Sequence, residues 1–204
     1  MDIIVKYIDE LLEKSTPEAP MWNIEKIRQG LKSNWNYIDG VMIKAVLQMY
    51  DVTKDEKYLK FADNFIDYRV HEDGTIDGYS IGEKNIDNVN AGKTLFELYD
   101  LTGKEKYRKA IDLVYSQIEI MPRCNNEARS FWHKEIYPNQ VWLDGMYMGQ
   151  PFYLEYETKF NNRKNYPDIF AQFKYVIDNM KNPLNGLYYH AIGVSREAFW
   201  CDKV

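Results

Sequence analysis

The segment DVTKDEKYLKFAD (51–63) returns as DLTGKEKYRKAID (100–112), an offset of 49 residues. A repeat of that period restricts a chain to stacked supersecondary units, because one unit alone cannot bury its apolar face. In each copy an apolar helix ends at Asp, a Thr follows two residues on, and Lys-Tyr opens the next helix. Thr53 and Thr102 are therefore expected to accept first-turn amides of the second helix. YETKFNNRKNYPDIF (156–170) reads as a third, degenerate copy. Gly40, Gly92 and Gly145 recur at intervals of 52 and 53, each opening the first helix of its pair.

Apolar residues elsewhere follow the same three- and four-residue spacing, as in Ile3, Ile4, Tyr7, Ile8, Leu11 and Leu12. The spacing predicts helices over 2–14, 24–32, 38–51, 55–70, 90–101, 104–120, 144–158 and 165–181. Turn-rich loops are expected at 71–85, 122–130 and 181–186. The fold class is all-α, a single domain over 1–204 built from helical hairpins of about 50 residues. Such hairpins stack into an open solenoid or close into a ring, and repeat length alone does not choose. WNYIDG (35–40), DNVNAG (87–92) and VWLDG (141–145) each precede the first helix of a hairpin. In a ring those starts would converge on one end of a central cavity.

Charge narrows the partners. Thirty-one acidic against 26 basic residues give a net charge of −5 with the signs interspersed, which argues against a nucleic-acid surface. No run approaches the roughly 18 apolar residues of a membrane span, and the acidic, amphipathic MDIIVKYIDELLEKS is unlike a signal peptide. A cytoplasmic protein is the expectation. Cys124 and Cys201 lie outside any ligand or CxxC spacing, so they read as unpaired thiols, with no metal and no cofactor implied. Aromatic residues make up 15% of the chain, with 17 Tyr and 5 Trp. Rings with one polar edge suit a wet sugar cleft, and packing between helices is the alternative.

WHK followed by PNQVWLDGMYMGQPFYLEY (138–156) resembles glycoside hydrolase family 105, the unsaturated rhamnogalacturonyl hydrolases. WNYIDG (35–40), IDNVNAGK (86–93), FWHK (131–134) and GLYYHA (186–191) match in the same order. The resemblance implies an (α/α)6 toroid, of which this chain covers the N-terminal half to two-thirds, about seven or eight of about 12 helices. It also implies Asp144 as acid/base, Asp87 as a second active-site carboxylate, and Tyr37, His133, Trp142, Met148 and His190 as cleft-lining, substrate-binding residues. Ile38 and Asp39 depart from the usual loop, while Trp200 keeps a family position. The implied partner is an unsaturated oligosaccharide, and an incomplete ring exposes apolar inner faces that a second copy would cover as a homodimer.

Paired carboxylates serve glycosidases as acid and base or nucleophile. The family chemistry is instead hydration of the C4=C5 vinyl ether left by a lyase, with one carboxylate protonating C4 and then activating water for C5. A non-catalytic binding or oligomerising remnant is the competing reading. Each candidate also has a plainer role. Asp144 and Asp87 stand where a helix N-cap would; His133 and His190 would serve as interior histidines, and Tyr37 and Trp142 as packing.

Overall fold

In the computed structural model, residues 2–193 are described; Trp200 and Cys201 lie outside them. The chain falls into two compact units, Met1–Tyr79 with Ala91–Leu113, and Ser80–Asn90 with Val114–Val204.

The first unit contains α1 (Asp2–Glu13), α2 (Ile24–Arg28), α3 (Tyr37–Thr53) and α4 (Glu56–Asp67). It also holds α6 (Lys93–Thr102) and the opening of α7 (Glu105–Ile120). Its core is the apolar stripe of these helices, with Ile43, Val46, Leu47, Ala62, Leu95, Leu98, Tyr107 and Ile111 fully buried. The two copies of the repeat share several of their hydrogen bonds. Thr53 Oγ1 donates to Met49 O at 2.7 Å and Thr102 Oγ1 to Leu98 O at 2.6 Å. Tyr50 and Tyr99 each reach a Glu six residues on, Glu56 and Glu105, at 3.3 Å. Both first helices end on a left-handed residue, Lys54 at φ 56° and Gly103 at φ 67°, whose N–H returns to Tyr50 O and Tyr99 O.

The helix junction differs from the sequence expectation. The first helix runs past Asp51 to Thr53, so Thr53 closes α3 and its Oγ1 takes the Asp55 N–H, while Asp55 caps α4 by accepting from Lys57 N at 3.0 Å. A threonine hydroxyl bonded to the carbonyl four residues back is spent inside its own helix. In the degenerate copy Thr158 Oγ1 repeats this bond to Leu154 O.

The departing residue Asp39 is buried at the start of α3, 2% exposed, and receives Trp22 Nε1 at 2.7 Å, Asn36 Nδ2 at 2.9 Å and Asn23 Nδ2 at 3.2 Å. Burial pushes its carboxyl above the ordinary range despite these donors. Asp39 therefore ties the residues before α3 to the helix itself.

The second unit holds α5 (Ile86–Val89), the end of α7, β1 (Gln140–Trp142), α8 (Leu143–Met148), α9 (Gln150–Phe160), α10 (Tyr166–Asn179) and β2 (Ala191–Gly193). β1 and β2 pair antiparallel, Val141 opposite Ile192 and Trp142 opposite Ala191. The stretch 144–158, expected as one helix, breaks at Gly149. Pro151, lacking an N–H, enters the first turn of α9, and a Cβ on Gly149 would stand 3.1 Å from Ile86 Cδ1, so the break lets the two helices close over α5. Among the described residues no helix is long and apolar enough to cross a membrane.

Candidate active site

The site candidates of the second unit are gathered by a short backbone pairing. Asn85 and Lys134 form an antiparallel bridge, Ile86 N–H donates to His133 O at 3.0 Å, and His133 N–H donates to Gln140 O at 2.9 Å. Residues 84–86, 133–135 and β1 thus lie side by side, bringing α5 and α8 to the same place. Asn85, not Asp87, caps α5: its side chain accepts from Asp87 N at 3.1 Å. The Asp87 carboxylate is released for other work.

That carboxylate is nearly buried. Oδ2 lies 2.7 Å from Lys134 Nζ, and Oδ1 lies 3.1 Å from His133 Nε2. The second approach is a close contact without good hydrogen-bond alignment, since neither Oδ1 nor Nε2 has an aligned partner. Burial works to raise the Asp87 carboxyl, but His133 and Lys134 outweigh it and hold the group below the usual carboxylate range. Asp87 is accordingly ionised at neutral pH.

Asp144 sits in the first turn of α8. The N-cap there is Trp142, which makes no side-chain cap bond, and Asp144 Oδ1 is buried with no hydrogen-bond partner. The cap role that its position allowed is not the one it plays. A carboxylate oxygen, a His133 ring nitrogen and an Asp87 oxygen all lie within 4.8 Å of one another. Two carboxylates therefore lie close together, one paired with the Lys134 ammonium and abutted by the His133 imidazole, the other without a donor aimed at its inner oxygen.

Aromatic rings wall this pair. Trp142 stacks on His133 at 4.2 Å and 7°, Tyr137 stacks on Trp142 at 5.0 Å, and His190 leans against the indole at 5.3 Å and 53°. Trp142 Nε1 donates to Gln140 Oε1 at 2.9 Å, and Leu143 N–H donates to His190 O at 2.7 Å, which carries the β2 segment to the site. One face of the indole is thus already covered by His133. His133 itself has no exposed side-chain surface, whereas His190 is exposed. Met148 is half-buried at the end of α8. Tyr37 belongs to the first unit, where it opens α3 and is 42% exposed.

Sequence reasoning passed over Lys134, Tyr137 and Gln140. Lys134 had a signal, standing beside His133 in FWHK, but its reach to Asp87 depends on the bridge to Asn85. The carboxylate and imidazole set was also not visible as a cation site from spacing, because Asp87, His133 and Asp144 come from three separate segments. Such a trio has the donor chemistry to hold a divalent ion. The Lys134 ammonium 2.7 Å from Asp87 occupies the charge such an ion would use, so the residues present do not fit one.

Residues 8–204 match the family model described as Glycosyl Hydrolase Family 88. The chain belongs to that family. Among proteins similar to this family 88 chain is the unsaturated rhamnogalacturonyl hydrolase YesR of Bacillus subtilis, 26% identical over 161 residues, covering 77% of this chain and 45% of YesR. A family 105 glycoside hydrolase from C. acetobutylicum is 43% identical, with a TM-score of 0.78 over 86% of this chain and 49% of the other. The resemblance to family 105 and its helical-hairpin toroid class rests on that likeness. A possible family 105 member from Salmonella enterica, at 21% identity and a TM-score of 0.68, shares the fold. This chain spans about half the length of these relatives, 45% and 49% of the first two.

Proposed function

We propose that this family 88 chain hydrates the C4=C5 double bond of 4,5-unsaturated galacturonyl-rhamnose oligosaccharides. The observation that carries the reading is the closeness of Asp144 to an ionised Asp87 that Lys134 and His133 hold in place. YesR, by its name, supplies the substrate class.

Asp144 donates its proton to C4 of the vinyl ether, and positive charge develops on C5 and the ring oxygen. The ionised Asp87 stabilises that charge from within the same low-dielectric pocket. Water then adds to C5, returning its proton to Asp144, so the carboxyl is regenerated. The product is a hemiketal, which opens to a keto-uronate and releases the saturated rhamnosyl aglycone. Trp142, His190 and Met148 are the proposed sugar contacts, and His133 supports Asp87.

The test is loss of absorbance of an unsaturated galacturonyl-rhamnose disaccharide. Turnover that Asp144→Asn abolishes, about 100-fold or more for a lost acid/base, supports the reading. No turnover by the chain, or turnover unchanged in Asp144→Asn, overturns it in favour of a binding module. Phe170, Phe173 and Ile177 leave an apolar stripe exposed on α10, which supports pairing with a second copy. A monomer by light scattering removes that pairing.

A further inference from the structure

Three residues lining one cavity in the second unit each carry a buried polar atom with no hydrogen-bond partner: Trp132 Nε1, His133 Nδ1 and Gln150 Oε1. His133 and Gln150 are 2% and 1% exposed. About 10 Å³ of the cavity is open to the centre of a water molecule. One buried water needs roughly 10–15 Å³ on that measure, together with two to four polar partners.

The amide orientations are set from outside the cavity. Arg123 pairs with both oxygens of Asp168, at 2.9 and 3.0 Å, so this carboxylate only accepts. Its Oδ2 takes Gln172 Nε2 at 3.1 Å, which turns Gln172 Oε1 to accept from Phe131 N–H and Gln150 Nε2, both at 3.0 Å. Gln150 is left to present its acceptor oxygen to the cavity. Trp132 Nε1 is a donor only. His133 Nδ1 donates or accepts according to tautomer, and it faces Gly145, where a Cβ would stand 3.0 Å away.

We propose that a single buried water accepts from Trp132 Nε1 and donates to Gln150 Oε1 and His133 Nδ1, fixing His133 as the Nε2–H tautomer, with the protonated nitrogen the one beside Asp87. A water has two hydrogens to place. Gln150 takes one, and the other is satisfied only when Nδ1 is an acceptor. An Nδ1–H ring leaves a water hydrogen unpaired in a space for one molecule, a bias on the order of tenfold or more against that tautomer. The proton is thus held on Nε2, the atom 3.1 Å from Asp87 Oδ1. Trp132 and Gln150 act as positioning residues through His133, and Asp168 orients Gln150 through Gln172.

The consequence for catalysis rests on the proposed function, but the water and the tautomer are read without substrate. Nitrogen-15 NMR of the histidine-labelled chain distinguishes three histidines, with His133 assigned by His133→Gln. The expected result at neutral pH is one tautomer, Nδ1 unprotonated and Nε2 protonated, together with crystallographic density for one water within hydrogen-bond distance of all three atoms. Gln150→Met and Trp132→Phe together leave a water only one partner, too few to hold it, and in that double variant the Nδ1 resonance is expected to move toward the protonated position as the tautomer preference falls about tenfold. A dry cavity, an Nδ1–H ring in the parent chain, or an unchanged Nδ1 resonance in the double variant overturns the proposal.

Discussion

His133 and Trp142 lie face to face, their ring centres 4.2 Å apart and their planes 7° from parallel. The indole covers an imidazole that has no exposed side-chain surface and whose Nε2 abuts Asp87. Trp142 is therefore the lid over the group beside Asp87. Its anchoring by Gln140 fixes how far that lid can slide.

Replacing Trp142 with Ala opens His133 to water and loosens Asp87. The expected effect is a fall in kcat on the order of 100-fold, as for a small misplacement of a reacting group. Stability is expected to drop by about 1–2 kcal/mol from the lost stacking and burial. Trp142→Phe keeps a ring against His133 and is expected to restore most of the stability. Steady-state kinetics and thermal melts of the two variants check this, and equal kinetics in Ala and Phe variants would exclude a stacking role.

Asp87 governs an acid limb. Its folded-state carboxyl is held below the ordinary value of 3.8, so the unfolded chain binds the proton first. The stability this group contributes is present above that value and is lost as pH falls through the lower, folded-state value. Asp87→Asn is expected to cost about 1–3 kcal/mol at pH 7, where Lys134 loses its partner, and less at pH 3. Urea midpoints at the two pH values read the difference; an equal loss at both would contradict it.

Lys93 titrates in the opposite range. Burial, reinforced by the neighbouring Lys44 charge, pulls its ammonium from 10.5 down to about 8. Between those values the unfolded chain holds the extra proton, so stability rises with pH across that window. Relative to Lys93→Met, the parent chain is expected to gain about 1–1.5 kcal/mol between pH 8 and 9.5, allowing for partial solvent screening. Parallel pH profiles for the two proteins in denaturant titrations would refute the shift.

The two repeat copies suggest an exchange. Lys54 occupies at φ 56° the position that Gly103 holds at φ 67°, and a Cβ at Gly103 would meet nothing within 4 Å. The two residues share a backbone conformation, and Lys54 adds only exposed contacts, to Asp51 at 3.5 Å and over the Tyr50 ring, that are worth little. Lys54→Gly is expected to stabilise the chain by about 0.5–1 kcal/mol, and Gly103→Lys to destabilise it similarly. Thermal melts that move the other way, or not at all, would show that the left-handed strain is relieved elsewhere.

The hairpins were legible because the repeat is local: Thr53 and Thr102, Tyr50 and Tyr99 use the same bonds within a few residues of themselves. Asp87, Asp144, His133 and Trp142 were legible as candidates through a long motif. What each does was not, because that depends on neighbours brought by tertiary pairing. Asn85 takes the cap that the position of Asp87 suggested for it, and Lys134 reaches Asp87 only across the bridge to Asn85. Gly149 and Pro151 carried a readable break within 144–158 that continuous apolar spacing obscured. Three-residue strands such as β1 and β2 have no periodicity to detect.

The pairing of β1 with β2 also sets an order of events during synthesis. Trp142 and Leu143 are made long before Ala191 and His190, their partners, leave the ribosome. Until that late segment arrives, the carboxylate pair has its helices but not its closing strand, and a long-range pairing of this kind forms slowly. A nascent chain arrested before residue 191 would carry Asp87 and Asp144 without the strand that pairs with Trp142.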